Sequence, residues 1–449
     1  MNVDALIESG ARSIASLAPA LAGLENSSTE LENNSRAIDR GHFTPAEEYR
    51  LGSWFARHLT ARSALLETIK EITPVLNSED IADDHTHLRG FIVGYTAACL
   101  LVRSARYLVS DFATDKLVQR KLNEAEPRFR IPRKQYTEIY RSLTSPANAW
   151  QLREAMQFVD EHRKEIEVLS DDPQLAGIID YLHESEESVH ISVSQYVKAR
   201  LRYRWHSMRR RRASAVQQGF FAIAEAFGRV ISELHNPWHE KLLDENIQAQ
   251  INELLAPGDV IISRHHDALT NLALPGYWPH SSLYVGNAAH AQTLGVQIDA
   301  DRKQRWTEPA RVLEARKDGV LFRSLADTLA VDAVAIIRPK LSQSQLANAL
   351  TQAISHEGKL YNFDFDFFRA DRLVCTEVVY RAYDGIGSMK FDLKQRAGRL
   401  TLTAEDLLDM ALDDKGFEPI AVFGTVDFPD QLVVGASCAS ALASSYRNA

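Results

Sequence analysis

The spacing of apolar residues changes once along this chain, near residue 245, and that change most constrains the fold. Before it, apolar residues recur at three- and four-residue intervals in Ala46–Ile72, His87–Phe112, Arg133–Leu143, Ala147–Leu169 and Leu175–Leu234. Few Gly or Pro residues interrupt these runs, so they predict amphipathic helices that bury their faces in a bundle. After His235-Asn-Pro-Trp-His239 the runs shorten and acquire β character. They are Asp259–Arg264, Ser281–Gly286, Arg311–Ala315, Gly319–Arg323, Ala333–Arg338 and Glu418–Val426. Helical segments intervene at Ser342–His356, Val374–Tyr383 and Thr403–Leu412, the last opened by the capping-box-like Thr403-Ala-Glu-Asp406. The expected fold class is α+β: a helical domain over 1–245, then an antiparallel sheet with packed helices over 246–430. The small, polar residues of 431–449 predict a flexible tail.

Composition narrows function mainly by exclusion. The 449 residues carry a formal net charge of −9 and both halves are mildly acidic, so no domain-wide nucleic-acid footprint exists. Three cysteines, Cys99, Cys375 and Cys438, cannot build a disulfide framework, and their odd number suits a reducing compartment. The start, Met1-Asn-Val-Asp-Ala-Leu-Ile-Glu, lacks the pattern of a signal peptide. The apolar run Gly90–Val102 is too short for a bilayer and predicts a buried helix. The expected address is cytoplasmic.

Cys375 stands in Leu373-Val-Cys375-Thr-Glu377-Val-Val-Tyr380, where it opens a helix. Alone, it reads as a core cysteine, since free cysteine is among the most buried residue types. At a helix start, however, the positive end of the dipole lowers a thiol's pKa and raises its thiolate fraction. His280 opens the strand Ser281–Gly286 after a Gly276-Tyr-Trp-Pro turn, and Glu314 lies on the next strand. Separately, these read as a structural imidazole and a solvated carboxylate. Together, the three supply a nucleophile, a base and a group to orient it.

Four segments also carry a resemblance. Leu255-Ala-Pro-Gly-Asp-Val-Ile-Ile-Ser263, Pro275-Gly-Tyr-Trp-Pro-His-Ser-Ser-Leu-Tyr-Val-Gly286, Val312-Leu-Glu-Ala315 and Val374-Cys-Thr-Glu-Val-Val-Tyr380 resemble the circularly permuted papain-like hydrolases. These are the YiiX/YebB type of the NlpC superfamily, related to lecithin–retinol acyltransferases. The resemblance spans about residues 250–430 and does not reach the helical part. It implies that Cys375 is the nucleophile, His280 the general base and acid, and Glu314 the orienting group. The order His, Glu, Cys is the reverse of papain's. The implied reaction is attack on an amide or ester carbonyl through a thioester, without metal or organic cofactor. The oxyanion hole would use the backbone N–H of Cys375, with Tyr361 or Tyr277 as candidate second donor. His265, just past the Gly-Asp strand, is a candidate substrate contact, though a polar loop role reads as well. Acyl transfer to or from a lipid is one alternative function, and a non-catalytic binding protein with a papain-like cleft is another.

Other signals are weaker. Lys198 to Arg212 is densely basic around the apolar stripe Val197, Leu201, Trp205 and Met208. Arg209–Arg212 could face anionic lipid, but pairing with acids such as Glu184, Glu186 and Glu187 is the preferred reading. Asp83-Asp-His85-Thr-His87 and His235-Asn-Pro-Trp-His239-Glu240 lack metal-helix spacing and suit turns and caps. Asp384-Gly-Ile-Gly387 reads as a helix stop.

Overall fold

The computed structural model describes residues 3–26, 33–77, 84–111, 115–186, 242–265, 276–367, 369–396 and 399–447. The chain divides into two compact units, Met1–Pro237 and Trp238–Ala449.

In the first unit three long helices, Val3–Asn26, Pro45–Asn77 and Asp84–Asp111, pack on one another. Their closest approach depends on glycine: a Cβ on Gly10 would stand 2.5 Å from Val93 Cγ1. Within the third helix, His85–Ser110 is long and apolar enough to cross a membrane. Yet 72% of its most apolar window is buried inside the unit. Phe91, Ile92, Val93, Tyr95 and Cys99 are wholly covered, as the apolar run predicts. The predicted helix over 147–169 is divided, Pro146–Glu161 being followed by Arg163–Val168. Most of Leu175–Leu234, together with Arg209–Arg212 and the His235–Glu240 motif, lies outside the described residues. Of the acids considered as their partners, Glu184 pairs with Arg103 (3.1 Å) and Glu186 stands 3.8 Å from Arg163.

The second unit is built on a seven-stranded sheet. Its strands are β1 (Val260–Arg264), β2 (His280–Tyr284), β3 (Ala310–Arg316), β4 (Gly319–Ser324), β5 (Ala333–Pro339), β10 (Phe417–Phe423) and β11 (Val433–Val434). Their order is β11-β10-β5-β1-β2-β3-β4, with every pairing antiparallel. Two small ribbons accompany it: β6 (Leu360–Tyr361) with β7 (Arg372–Leu373), and β8 (Lys394–Arg396) with β9 (Arg399–Thr401).

Side chains alternate across the sheet with period two. Val260, Ile262, Leu283, Leu313, Ala335 and Ile337 join a core with the helices Gln343–Ile354, Cys375–Tyr383, Ala404–Leu412 and Cys438–Arg447. Ile261, Tyr284, Val312, Val334, Ile336 and Phe423 face the opposite way, onto Leu243 and Ile251 of the short helix region that precedes β1. The capping box at Thr403 is realised with aspartate: Thr403 N–H donates to Asp406 Oδ2 (2.8 Å) and Asp406 N–H to Thr403 Oγ1 (3.2 Å).

Within the expected 431–449 tail, the described residues 431–447 depart from expectation. Instead of a loose tail, β11 extends the sheet and Cys438–Arg447 forms a helix that buries Cys438, Ala441, Leu442 and Ser445. Trp278 Nε1 donates to Ser445 Oγ at 2.9 Å, which fastens this helix to the segment entering β2.

Gly424, just past β10, has φ +76°, and a Cβ there would stand 2.4 Å from the Asp332 carbonyl oxygen. Both conformation and space therefore demand glycine. Gly424→Ala is expected to lower unfolding stability by about 2 kcal/mol or more, read as a shifted urea midpoint at constant slope. An unchanged midpoint would contradict this packing.

Candidate active site

The site is assembled at one end of the sheet by strand parity and one helix start. Leu283 pairs with Leu313 and Tyr284 with Val312, so His280, Ser282 and Tyr284 share a face with Val312, Glu314 and Arg316. Diagonal neighbours on such a face lie within reach of long side chains. His280 Nε2 meets Glu314 Oε1 at 2.7 Å. That bond commits Nε2 and leaves Nδ1 for the thiol.

Cys375 is the first residue of its helix, after the N-cap Val374. Because its helix covers the other face of the sheet, the thiol meets His280 at the open end of β2. There Cys375 interacts with the imidazole and with the backbone N–H groups of Ser281 and Thr376. Burial alone would raise the thiol's pKa. The charge of His280 and these hydrogen bonds outweigh burial and hold it below the ordinary value. The imidazole responds in the opposite sense: burial opposes its charge, but Cys375 and Glu314 raise its pKa to about 9. Both shifts favour the thiolate–imidazolium pair over the neutral one.

Glu314 is 2% exposed, and sequence reasoning missed what stabilises it there. Arg316 Nη2 lies 2.9 Å from its Oε2, Arg323 Nε lies 3.7 Å away, and Thr328 Oγ1 donates to Oε2 at 3.1 Å. Burial would raise the carboxyl's pKa, but Arg316, His280 and Arg323 hold it well below the usual carboxylate range. A signal for Arg316 was present, since a residue two positions along a strand shares its face. Arg323 was hidden by the hairpin register, which sets it opposite Val312.

The other candidates divide. Tyr361, in β6, pairs with Leu373, two residues before the thiol. It is close enough to Cys375 for the thiol's charge, added to burial, to push its own pKa well above the ordinary value. Tyr277 is engaged elsewhere: its hydroxyl donates to the Gly424 carbonyl (3.4 Å), and the Arg264 guanidinium covers its ring at 4.0 Å. His265 follows β1, half-buried, at the end where Ser263 pairs with His280. The two other thiols are buried away from such partners. Burial raises the pKa of Cys99, and that of Cys438 to about 11, which corrects the expectation of an ordinary thiol in a loose tail.

Residues 254–423 match the family model of the permuted papain-like amidase enzymes, YaeF/YiiX. This segment is similar to a permuted papain-like amidase domain. No curated protein and no solved structure matches the chain. The match supports hydrolysis of amide bonds as the chemistry of the domain. It begins at the end of the helix Glu245–Leu254 and ends with the last residue of β10. The helix Cys438–Arg447 therefore lies beyond the permuted papain-like segment while completing its core.

Proposed function

We propose that this protein hydrolyses an amide bond by covalent thiol catalysis, with Cys375 as nucleophile, His280 as general acid and base, and Glu314 as the orienting carboxylate. The observation that supports it most is the buried Glu314–His280 bond of 2.7 Å, adjoining a thiol whose pKa is depressed against its burial. In this reading the thiolate sulfur attacks the carbonyl carbon and the carbonyl electrons move to oxygen. The oxyanion is stabilised by the Cys375 N–H, one of the helix-start donors that lack an intrahelical acceptor. Tyr361, kept protonated by its raised pKa and close to Cys375, is the second donor we favour. Collapse of the tetrahedral species breaks the C–N bond as imidazolium gives its proton to the departing nitrogen, leaving a thioester. Neutral His280 then takes a proton from water as the water oxygen attacks the thioester. The carboxylic acid leaves and the thiolate–imidazolium pair is restored.

Glu314 in this scheme stabilises the imidazolium without taking its proton, because Arg316 and Arg323 keep it ionised. The test is turnover on a panel of aminoacyl, peptidyl and fatty-acyl aminocoumarin amides by wild type and by Cys375→Ala. Cleavage confined to the wild type is expected. Equal cleavage by Cys375→Ala would overturn the assignment. The panel also separates peptide from lipid amides.

A further inference from the structure

The chain between β6 and β7 leaves Tyr361 and returns through Arg372 and Leu373 to Cys375, so both of its ends adjoin the thiol. Within it, Phe365 has φ +54°, a left-handed conformation that a bulky residue adopts only when its surroundings impose it. Phe365 and Phe363 pack edge-on to Tyr361, at 6.4 and 4.8 Å between centroids.

Two devices hold this strained turn. One is local: Asn362 Nδ2 donates to the Asp366 carbonyl (2.8 Å), and its Oδ1 accepts from Asp364 N–H (3.2 Å). The other comes from the cysteine helix. Arg381 Nη2 donates to the carbonyls of Phe367 (3.3 Å) and Arg369 (3.0 Å), while Nε and Nη2 grip Glu377 Oε1 at 2.9 and 2.6 Å. Glu377 has no exposure, and its Oε2 accepts from Val374 N–H at 3.4 Å. Val374 has no side-chain acceptor, so this backward bond is the only half of a capping box available at the thiol's helix start.

Resting on the hydrolase reading above, we propose that Arg381 is a positioning residue. It clamps the Phe367 and Arg369 carbonyls to the cysteine helix and thereby holds the turn that follows Tyr361, with Phe363 and Phe365, as the wall that seats the substrate's acyl side. The thiol's pKa is lowered chiefly by His280 and the Ser281 and Thr376 N–H groups, so in this proposal the clamp governs what lies against the thiol rather than the thiol's ionisation. Glu377 is the anchor of the clamp. Burial raises its pKa to about 7 against the opposing pull of Arg381. Losing the arginine would strand this carboxylate in the core, a stability effect that must be separated from the clamp itself.

The full chain is compared as wild type, Arg381→Met, Arg381→Met/Glu377→Gln and Arg381→Lys. The double variant removes the stranded carboxylate and is expected to regain most of the melting temperature lost by Arg381→Met. In both methionine variants, hydrogen exchange of peptides within 362–371 should quicken about tenfold, the signature of a locally opened element. Alkylation of Cys375 by iodoacetamide should stay within about twofold of wild type, while N-benzyl iodoacetamide, which must lie against the wall, should react about fivefold more slowly relative to it. Lysine, able to reach a carbonyl but without the fork, should restore part of that ratio. Wild-type exchange in the double variant, or an unchanged probe ratio despite faster exchange, would overturn the clamp. Failure of the nucleophile assignment shows separately, as wild-type alkylation that does not favour Cys375, and leaves the exchange result standing.

Discussion

At pH 6, iodoacetamide is expected to alkylate Cys375 at least about a hundredfold faster than Cys438 or Cys99, because the thiolate is the reacting species. All three thiols are buried, so burial does not distinguish them. Their electrostatic surroundings do. Cys375 has an imidazolium partner and two backbone donors, whereas burial alone acts on Cys438 and holds its pKa near 11. Cys99 is raised further by the charge of Glu186 beyond its burial. The rate at Cys375 should therefore persist into mildly acidic solution and fall only when pH drops through the thiol's depressed pKa. Catalysis has a second limb. As pH rises through about 9, His280 loses the proton it must give to the leaving nitrogen, and hydrolysis should decline while alkylation does not. Peptide mass spectrometry after a timed pulse reads the site preference. Comparable labelling of Cys375 and Cys438 would end the nucleophile assignment.

Glu314→Gln should combine two effects that separate measurements can tell apart. Turnover is expected to fall by roughly two to four orders of magnitude, as for other orienting carboxylates replaced by their amide. The amide can still hold the ring, but it stabilises the imidazolium poorly and permits the wrong tautomer. The midpoint of Cys375 alkylation should move upward for the same reason. Stability should fall as well, because Arg316 and Arg323 lose the carboxylate between them. Arg316 keeps 35% of its side-chain exposure, so a loss of about 2 kcal/mol is expected rather than that of a fully buried pair. Full turnover in the folded variant would remove Glu314 from the orienting role, and a melt with wild-type stability would show that its pairing with Arg316 and Arg323 adds nothing to folding.

Much of the second unit was legible in the sequence because its signals are local. Six strands were marked as short β-type runs bounded mostly by turn residues, and one helix start, at Thr403, by its capping box. Each strand and helix so marked lies within a few residues of its expected bounds. Cys375, His280 and Glu314 were singled out as a set, because the segments around them resemble the permuted papain-like hydrolases; separately, each also reads as a structural residue.

What sequence could not rank was one carboxylate against another. Asp259 and Asp299 lie in the same unit as Glu314, and the structure engages both elsewhere. Asp259, buried beside β1, binds Arg338 at 2.7 and 2.8 Å and caps Ala256 N–H. Asp299 caps the helix that begins at Ala300. Those partners are 79 positions away in the first case and one turn away in the second, and only folding reveals which is engaged. The C-terminal segment was misread for a different reason. Its Ala and Ser content suggested looseness, yet Cys438, Ala441, Leu442 and Ser445 follow the three-and-four spacing of a buried helix face. Composition masked a periodicity that was present.

The bond from Trp278 to Ser445 joins positions 167 apart, and Trp278 stands two residues before His280. A chain made from its N-terminus onward exposes the histidine strand, the carboxylate strand and the thiol helix well before this partner exists. The indole that steadies the approach to His280 can be tied down only when the final helix has been synthesised and docked. A nascent or clipped chain would therefore carry Cys375, His280 and Glu314 while the segment entering the His280 strand still lacks this tie.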